Sequence, residues 1–162
     1  MRDVVAKRSD TLGIRGLNYP NNIVTTLNRN AATSVPKDTG AELQVKFDDG
    51  RQQSFYPLQY HLHSPSEHTI NGELFDLELH IVHVDSNGTP AAVIGFLFDI
   101  SNHTMANNYE LDLLMPRGTA NSETAELDLA SFLSSVSFRD FYNYPGSFTT
   151  PPCTEGVNWF VM

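Results

Sequence analysis

A period of two runs through the middle of this chain and commits it to β-sheet. Between residues 42 and 47, Leu43, Val45 and Phe47 alternate with Glu42, Gln44 and Lys46, the pattern of a strand with one buried and one wet face. Asp48, Asp49 and Gly50 then supply a turn, so residues 53–63 read as the returning strand of a hairpin, with Tyr60 and Leu62 facing one way and Gln59, His61 and His63 the other. Residues 73–84 alternate again, with Phe75, Leu77, Leu79 and Ile81 on one face and Asp76, Glu78, His80 and Val82 opposite. Residues 91–98 are apolar almost throughout, as expected of a central strand covered on both sides. A further strand is expected at 157–162 and a short one at 23–27, with short helices inside 105–114 and 127–135. Residues 1–40 otherwise read as irregular, 64–72 as a loop, and Pro145-Gly146 and Pro151-Pro152 as stiffening one long loop. The predicted fold class is mainly β, an α+β chain with few short helices around a twisted, mostly antiparallel sheet.

With 162 residues and no internal repeat, the chain is about one domain. It carries 10 Lys and Arg against 19 Asp and Glu, a formal charge of −9, which disfavours nucleic acid and anionic membrane surfaces as partners. No apolar run approaches the roughly 20 residues a spanning helix needs. Cys153 is the only cysteine, so neither an internal disulfide nor a Cys-type zinc site can form, and its expected role is that of a small buried hydrophobe. The opening MRDVVAKRSD has no apolar segment of the kind a cleavable signal carries. Asn87-Gly88-Thr89 and Asn102-His103-Thr104 match the glycosylation triplet, a pattern too frequent by chance to assign a compartment.

The chemistry concentrates in QYHLHSPSEH and LELHIVH. Residues i and i+2 of a strand share a face, so His61 and His63 can approach one metal ion from one strand, and His80 can join from the next. Three neutral imidazoles leave zinc its full charge and one open position, the arrangement that brings the pKa of bound water to about 7. A lone His-x-His argues little, but here the third histidine recurs on the matching face, and Gln59 and Glu78 share those faces. A metal-bound imidazole needs its other N–H held by an amide or carboxylate oxygen, and these two suit His61 and His80. Glu67 and His68 compete as ligands. A carboxylate ligand would lower the charge at zinc and make its water less acidic, so Glu67 is placed beside the metal and His68 is assigned a scaffold role. His83 points away from His80 and reads as structural, and His103 as a surface residue.

QYHLHSPSEHTING, ELHIVHV, AVIGF and YPGSFTTPPCTEGVNW, in this order and spacing, closely resemble the α-class carbonic anhydrases over residues 55–161. The resemblance implies the central sheet of that family and a reversible hydration of CO2 to bicarbonate and a proton by zinc-hydroxide attack. It implies Zn2+ on His61, His63 and His80, with Gln59, Glu78 and His68 supporting them. Thr149 would accept a hydrogen bond from the zinc hydroxide and pass its own proton to Glu67, which as a carboxylate can only accept. Val82, Val93, Phe148, Val157 and Trp159 would wall the CO2 site, the Pro151-Pro152 bond would be cis, and aryl sulfonamides would inhibit.

Several residues depart from the family pattern. The segment that often carries a proton-shuttle histidine corresponds to Asn28-Arg29-Asn30-Ala31-Ala32, and no histidine precedes His61, so proton release is expected to depend on buffer. Phe148 stands where Leu is usual, and Ser64 with Pro65 where Trp often follows the second ligand. Compared with the family domain the chain reads as a central fragment lacking both ends, whose sheet edges would invite oligomerisation. Cys153 matches a position that pairs with an N-terminal cysteine in full-length, often secreted, members. Two other classes stay open: a catalytically impaired binding or structural module of carbonic-anhydrase ancestry, and, more distantly, a cupin-type metal enzyme suggested by His61-x-His63-x3-Glu67 followed by Gly72.

Overall fold

The computed structural model describes residues 2–3, 13–20, 23–99, 114, 116, 119–134 and 136–162. The helix expected inside 105–114 lies outside the described residues, Leu114 excepted. The strands are β1 (Arg2–Asp3), β2 (Gly13–Asn18), β3 (Ile23–Asn28), β4 (Thr33–Ser34), β5 (Glu42–Lys46), β6 (Gln52–His63), β7 (His68–Ile70), β8 (Glu73–Leu74), β9 (Leu77–Val84), β10 (Pro90–Phe98), β11 (Ser122–Leu127), β12 (Tyr142–Ser147) and β13 (Glu155–Val161). A short α-helix, α1 (Leu129–Ser134), follows β11. Asp128 starts it by accepting the Ser131 N–H at 3.0 Å, the usual way a first turn satisfies its orphan donors.

The main sheet runs β12-β13-β10-β9-β6-β5-β2, with β4 added against β6. Within this sheet, among the described residues, only β10 and β13 pair in parallel, so the sheet is mostly antiparallel, as the alternation predicts. Two small sheets stand apart, β1-β7-β8 and β11-β3. The hairpin between β5 and β6 closes through Gly50 at φ 84, with Gly50 N–H on the Phe47 carbonyl at 2.9 Å. Asn71 and Gly72, at φ 54 and 80, form the two-residue turn between β7 and β8, whose geometry demands positive φ at both positions.

One face of the sheet carries the main core. Leu43, Phe55, Leu79, Ile81, Ile94 and Phe160 have almost no exposure there, packed with Ile23 and Leu27 of β3 and Leu129, Phe132 and Leu133 of α1. The opposite face carries a smaller apolar cluster of Val82, Val93, Val157, Trp159 and Val161. Inside β6 the face changes. Phe55 and Tyr60 both point into the main core although five positions separate them, because Leu58 is an extra residue between the Pro57–His83 and Gln59–Val82 pairs. This bulge re-aims every later side chain of the strand. It turns His61 and His63 away from the core that Phe55 enters.

Five expectations need correction. Residues 13–18 form β2 rather than irregular chain; its two glycines and lack of alternation hide it in the sequence. The loop expected at 64–72 contains β7, and the strand expected at 73–84 is two strands, since Phe75 N–H bonds to Ser66 Oγ and the chain leaves one sheet for another. Pro145 and Gly146 belong to β12, where proline is tolerated because, among the described residues, β12 is an edge strand paired only with β13. Cys153 is exposed rather than buried, lifted out by a turn in which its N–H reaches the Thr150 carbonyl at 2.9 Å. The Pro151-Pro152 bond is cis, and so is Ser64-Pro65. Among the described residues no helix is long and apolar enough to cross a membrane.

Candidate metal centre

Strand register assembles the centre. Across β6 and β9, His61 lies opposite His80 and His63 opposite Glu78; across β9 and β10, His80 lies opposite Gly95 and Val82 opposite Val93. Val93 in turn pairs with Trp159, and Trp159 with Tyr144. One face of the sheet therefore carries three imidazoles at one end and an apolar floor running to β12. The rings of His61, His63 and His80 stand 4.6 to 5.2 Å apart between centroids, and one nitrogen from each lies within 4.8 Å of the other two.

Hydrogen bonding decides which nitrogens those are. Gln59 Oε1 accepts from His61 Nδ1 at 2.9 Å, leaving Nε2 with its lone pair. Glu78 Oε1 accepts from His80 Nε2 at 2.7 Å, leaving Nδ1. His63 Nε2 is a buried nitrogen with no hydrogen bond; it faces Glu67 Oε2, equally unpartnered, at 3.5 Å. Burial, and the nearby charge of His80 and His63 when protonated, push the His61 pKa down to about 4. Burial and His80 also lower His63, against the opposing pull of Glu67 and Glu78. Burial works to raise Glu78, yet hydrogen bonds from His68 and His80 outweigh it and hold the carboxyl far below the ordinary range. Three imidazoles with one nitrogen each turned toward the others, two of them oriented by an oxygen on the other ring nitrogen, fit a tetrahedral divalent metal such as zinc.

His68 touches Glu78 twice, through Nδ1 to Oε1 at 2.5 Å and through its backbone N–H to Oε2 at 2.8 Å. His68, Glu78 and His80 thus form a hydrogen-bonded network beside the three-histidine site, not a second metal site. His83 lies on the opposite face, buried against the Tyr19 hydroxyl. Burial lowers its pKa to about 3, in keeping with a structural role.

A cavity of about 590 Å³ opens over the three imidazoles. Val82, Val93, Phe148 and Trp159 border it, as does the Asn28-to-Ala32 stretch. Val157 is buried in the same apolar cluster but does not border the cavity, so it supports the wall from behind. Thr149 is exposed and borders both this cavity and a second one of about 440 Å³ behind Glu67 and His68. Glu67 Oε2 turns to His63 rather than to Thr149. Arg29 is tied down at the mouth, donating to the Pro116 carbonyl at 2.8 Å and the Ala120 carbonyl at 3.1 Å. The sequence reasoning missed Tyr144, whose hydroxyl lies 2.6 Å from His68 Nε2. Its signal was the Tyr142-x-Tyr144 alternation, obscured by the Pro-Gly that follows.

Comparisons with known proteins place this geometry. A family model described as eukaryotic-type carbonic anhydrase matches residues 2–162, extending well before the residues that carry the resemblance in the sequence. Alpha carbonic anhydrase 7 of Arabidopsis thaliana is 39% identical over 156 residues, covering 87% of this chain and 55% of its own length. A carbonic anhydrase of Nostoc sp. is 35% identical over 136 residues, covering 77% and 49%. Among solved structures, the α-carbonic anhydrase of Thermovibrio ammonificans in complex with the inhibitor sulfanilamide superposes with a TM-score of 0.67 at 33% identity, over 99% of this chain and 66% of that one. The chain thus spans about half the length of these curated relatives.

Proposed function

The chain belongs to the eukaryotic-type carbonic anhydrase family, and on that premise we propose that it catalyses the reversible hydration of CO2 to bicarbonate and a proton at a zinc centre held by His61, His63 and His80. The observation that carries the reading is the convergence of one nitrogen from each of these rings within 4.8 Å. Zinc on three neutral imidazoles supplies a Lewis acid that makes water nucleophilic near neutral pH. The residues do the rest. Gln59 and Glu78 hold His61 and His80 in the orientation that offers the correct nitrogen. Val82, Val93, Phe148 and Trp159 keep the cavity floor apolar, which suits an uncharged substrate and excludes competing water. Thr149 and Glu67 border a shared cavity; once His63 Nε2 is engaged by a metal, the Glu67 carboxylate is free to accept the Thr149 hydroxyl and so orient the proton of that hydroxyl. Aryl sulfonamides, which bind such centres as anions, are proposed as ligands.

The test is zinc content with a hydration assay. The purified chain is expected to carry about one zinc and to speed CO2 hydration, and His80→Ala is expected to lose both. Zinc-free protein that folds but cannot be loaded would sink the reading. Because the Asn28-to-Ala32 stretch brings no imidazole to the cavity mouth, turnover is also expected to rise with imidazole buffer concentration, and a rate indifferent to buffer would count against external proton removal. A second reading, a binding module that holds zinc without turnover, is favoured by one observation: Glu67 turns to His63 and leaves the exposed Thr149 without its carboxylate. Zinc-loaded protein with no hydration above free zinc would select it.

A further inference from the structure

We propose that Tyr144 is a positioning residue of the metal centre: through His68 and Glu78, its hydroxyl fixes the seat of His80 and the nitrogen His80 turns toward a metal. The proposal rests on the metal-centre reading above and extends it to the outermost strand of the sheet. Glu78 has no exposed surface. Its ionised carboxylate can only accept, with about four lone-pair positions to fill. Four N–H groups fill them: His68 Nδ1 at 2.5 Å and His80 Nε2 at 2.7 Å on Oε1, and the backbone N–H groups of Glu67 and His68, each at 2.8 Å, on Oε2.

Direction follows from that saturation. Because the carboxylate can only accept, His68 carries a proton on Nδ1, and in the Nδ1–H tautomer Nε2 is the acceptor. The Tyr144 hydroxyl, 2.6 Å away, donates to it. His68 is only 2% exposed, and a buried acceptor stripped of its donor costs its desolvation in full. Without the hydroxyl, the ring gains by rotating or by moving its proton to Nε2, and either change withdraws a donor from Glu78 Oε1. The carboxylate then shifts its hold on His80.

Packing shows that this chain of contacts is built into the fold. The Tyr144 ring lies parallel to Trp159, 5° between planes and 6.2 Å between centroids. His68 and His80 both stand edge-on to the same indole, at 4.9 and 4.8 Å. Gly146 leaves the room: a Cβ there would come within 2.8 Å of Tyr144 Cε2 and 3.0 Å of Trp159 Cδ1. A metal ligand on β9 is thereby connected to edge strand β12 across two intervening strands.

The test uses the zinc-loaded chain, with chelator competition for affinity and long-range proton–nitrogen NMR for the ring tautomers. Direct partners of metal-bound histidines are worth about 10–100-fold in affinity. Tyr144 acts two hydrogen bonds further out, so Tyr144→Phe, which keeps the ring stack, is expected to weaken zinc binding by about 3–10-fold and to change the His80 nitrogen signals. Tyr56→Phe, at an exposed position on β6, is the control and is expected to change neither. Loss of a merely structural contact would leave the His80 tautomer as it was. Unchanged affinity and unchanged His80 signals in Tyr144→Phe overturn the proposal alone. So does a wild-type spectrum showing His68 protonated at Nε2, a result that needs no variant to fold. Wild-type protein that binds no zinc overturns the metal-centre reading and this proposal with it.

Discussion

Gly95 stands opposite His80 across the β9–β10 pair, and a Cβ there would lie 2.9 Å from Glu78 Oε1. The carboxylate that orients His80 occupies the space where an ordinary residue would keep its side chain. It has little freedom to retreat, because its hydrogen bonds bind it on both oxygens. Gly95→Ala is therefore expected to cost about 1–3 kcal/mol, the range for overpacking a tight interior, and to weaken zinc binding together with stability. Gly16 gives the contrast. A Cβ there would meet Gln44 Oε1 at 3.3 Å, the far end of a flexible, exposed side chain, so Gly16→Ala is expected to stay within about 0.5 kcal/mol. Urea midpoints of the two variants, with and without zinc, check the pair. A Gly95→Ala protein as stable as wild type would show that the carboxylate is not wedged.

At the scale of elements, β6 depends on one extra residue. Phe55 enters the main core before the bulge at Leu58, and Tyr60 and Leu62 pack on that core after it. Deleting Leu58 would restore a simple period of two and force a choice: the histidines turn into the core, or Phe55 turns out of it. Either outcome is expected to leave the chain without zinc and poorly soluble, whereas Leu58→Ala keeps the register and is expected to retain the metal. Zinc content of the two proteins separates register from side-chain loss. The same strand shows how far the sequence could be read. The face shared by Gln59, His61 and His63 is legible because the period holds from Gln59 onward, as it does for Leu79 and Ile81 in β9. The bulge is not, since nothing in Pro57-Leu58-Gln59 announces which residue is unpaired. Strands β2, β11 and β12 were missed for a common reason: GIRGLN, SETAEL and YNYPGS lie in edge strands or a two-stranded ribbon, where pairing with a neighbour rather than burial of an apolar face defines the strand. Tyr144 went unnoticed with β12, although its partner His68 was already a candidate.

Across the whole molecule, several groups make stability fall in acid, and their signs agree. His61 is held down to about 4 and His83 to about 3 in the fold, chiefly by burial, while the unfolded chain takes up those protons near the ordinary 6.5. Between these limits the unfolded state binds more protons, so stability rises with pH there and falls as pH drops from about 6.5. Glu78 works lower: its folded pKa is depressed, so its contribution is complete above the ordinary 4.5 and is lost as pH falls below that value. Surface charge pulls the other way, since the formal −9 shrinks on acidification and self-repulsion eases. That term is spread over the surface and screened within about 8 Å at physiological salt, whereas a fully buried histidine that stays neutral contributes a slope approaching about 1.4 kcal/mol per pH unit. The buried groups win. Urea midpoints of the metal-free chain are expected to be level above about pH 7.5 and to fall steadily from about pH 6.5 toward pH 4. His83→Gln, which removes the most deeply buried of these titrations, is expected to lower the plateau while flattening the acid slope. A wild-type midpoint that does not move between pH 7 and pH 5 would show that these imidazoles are not kept neutral by the fold.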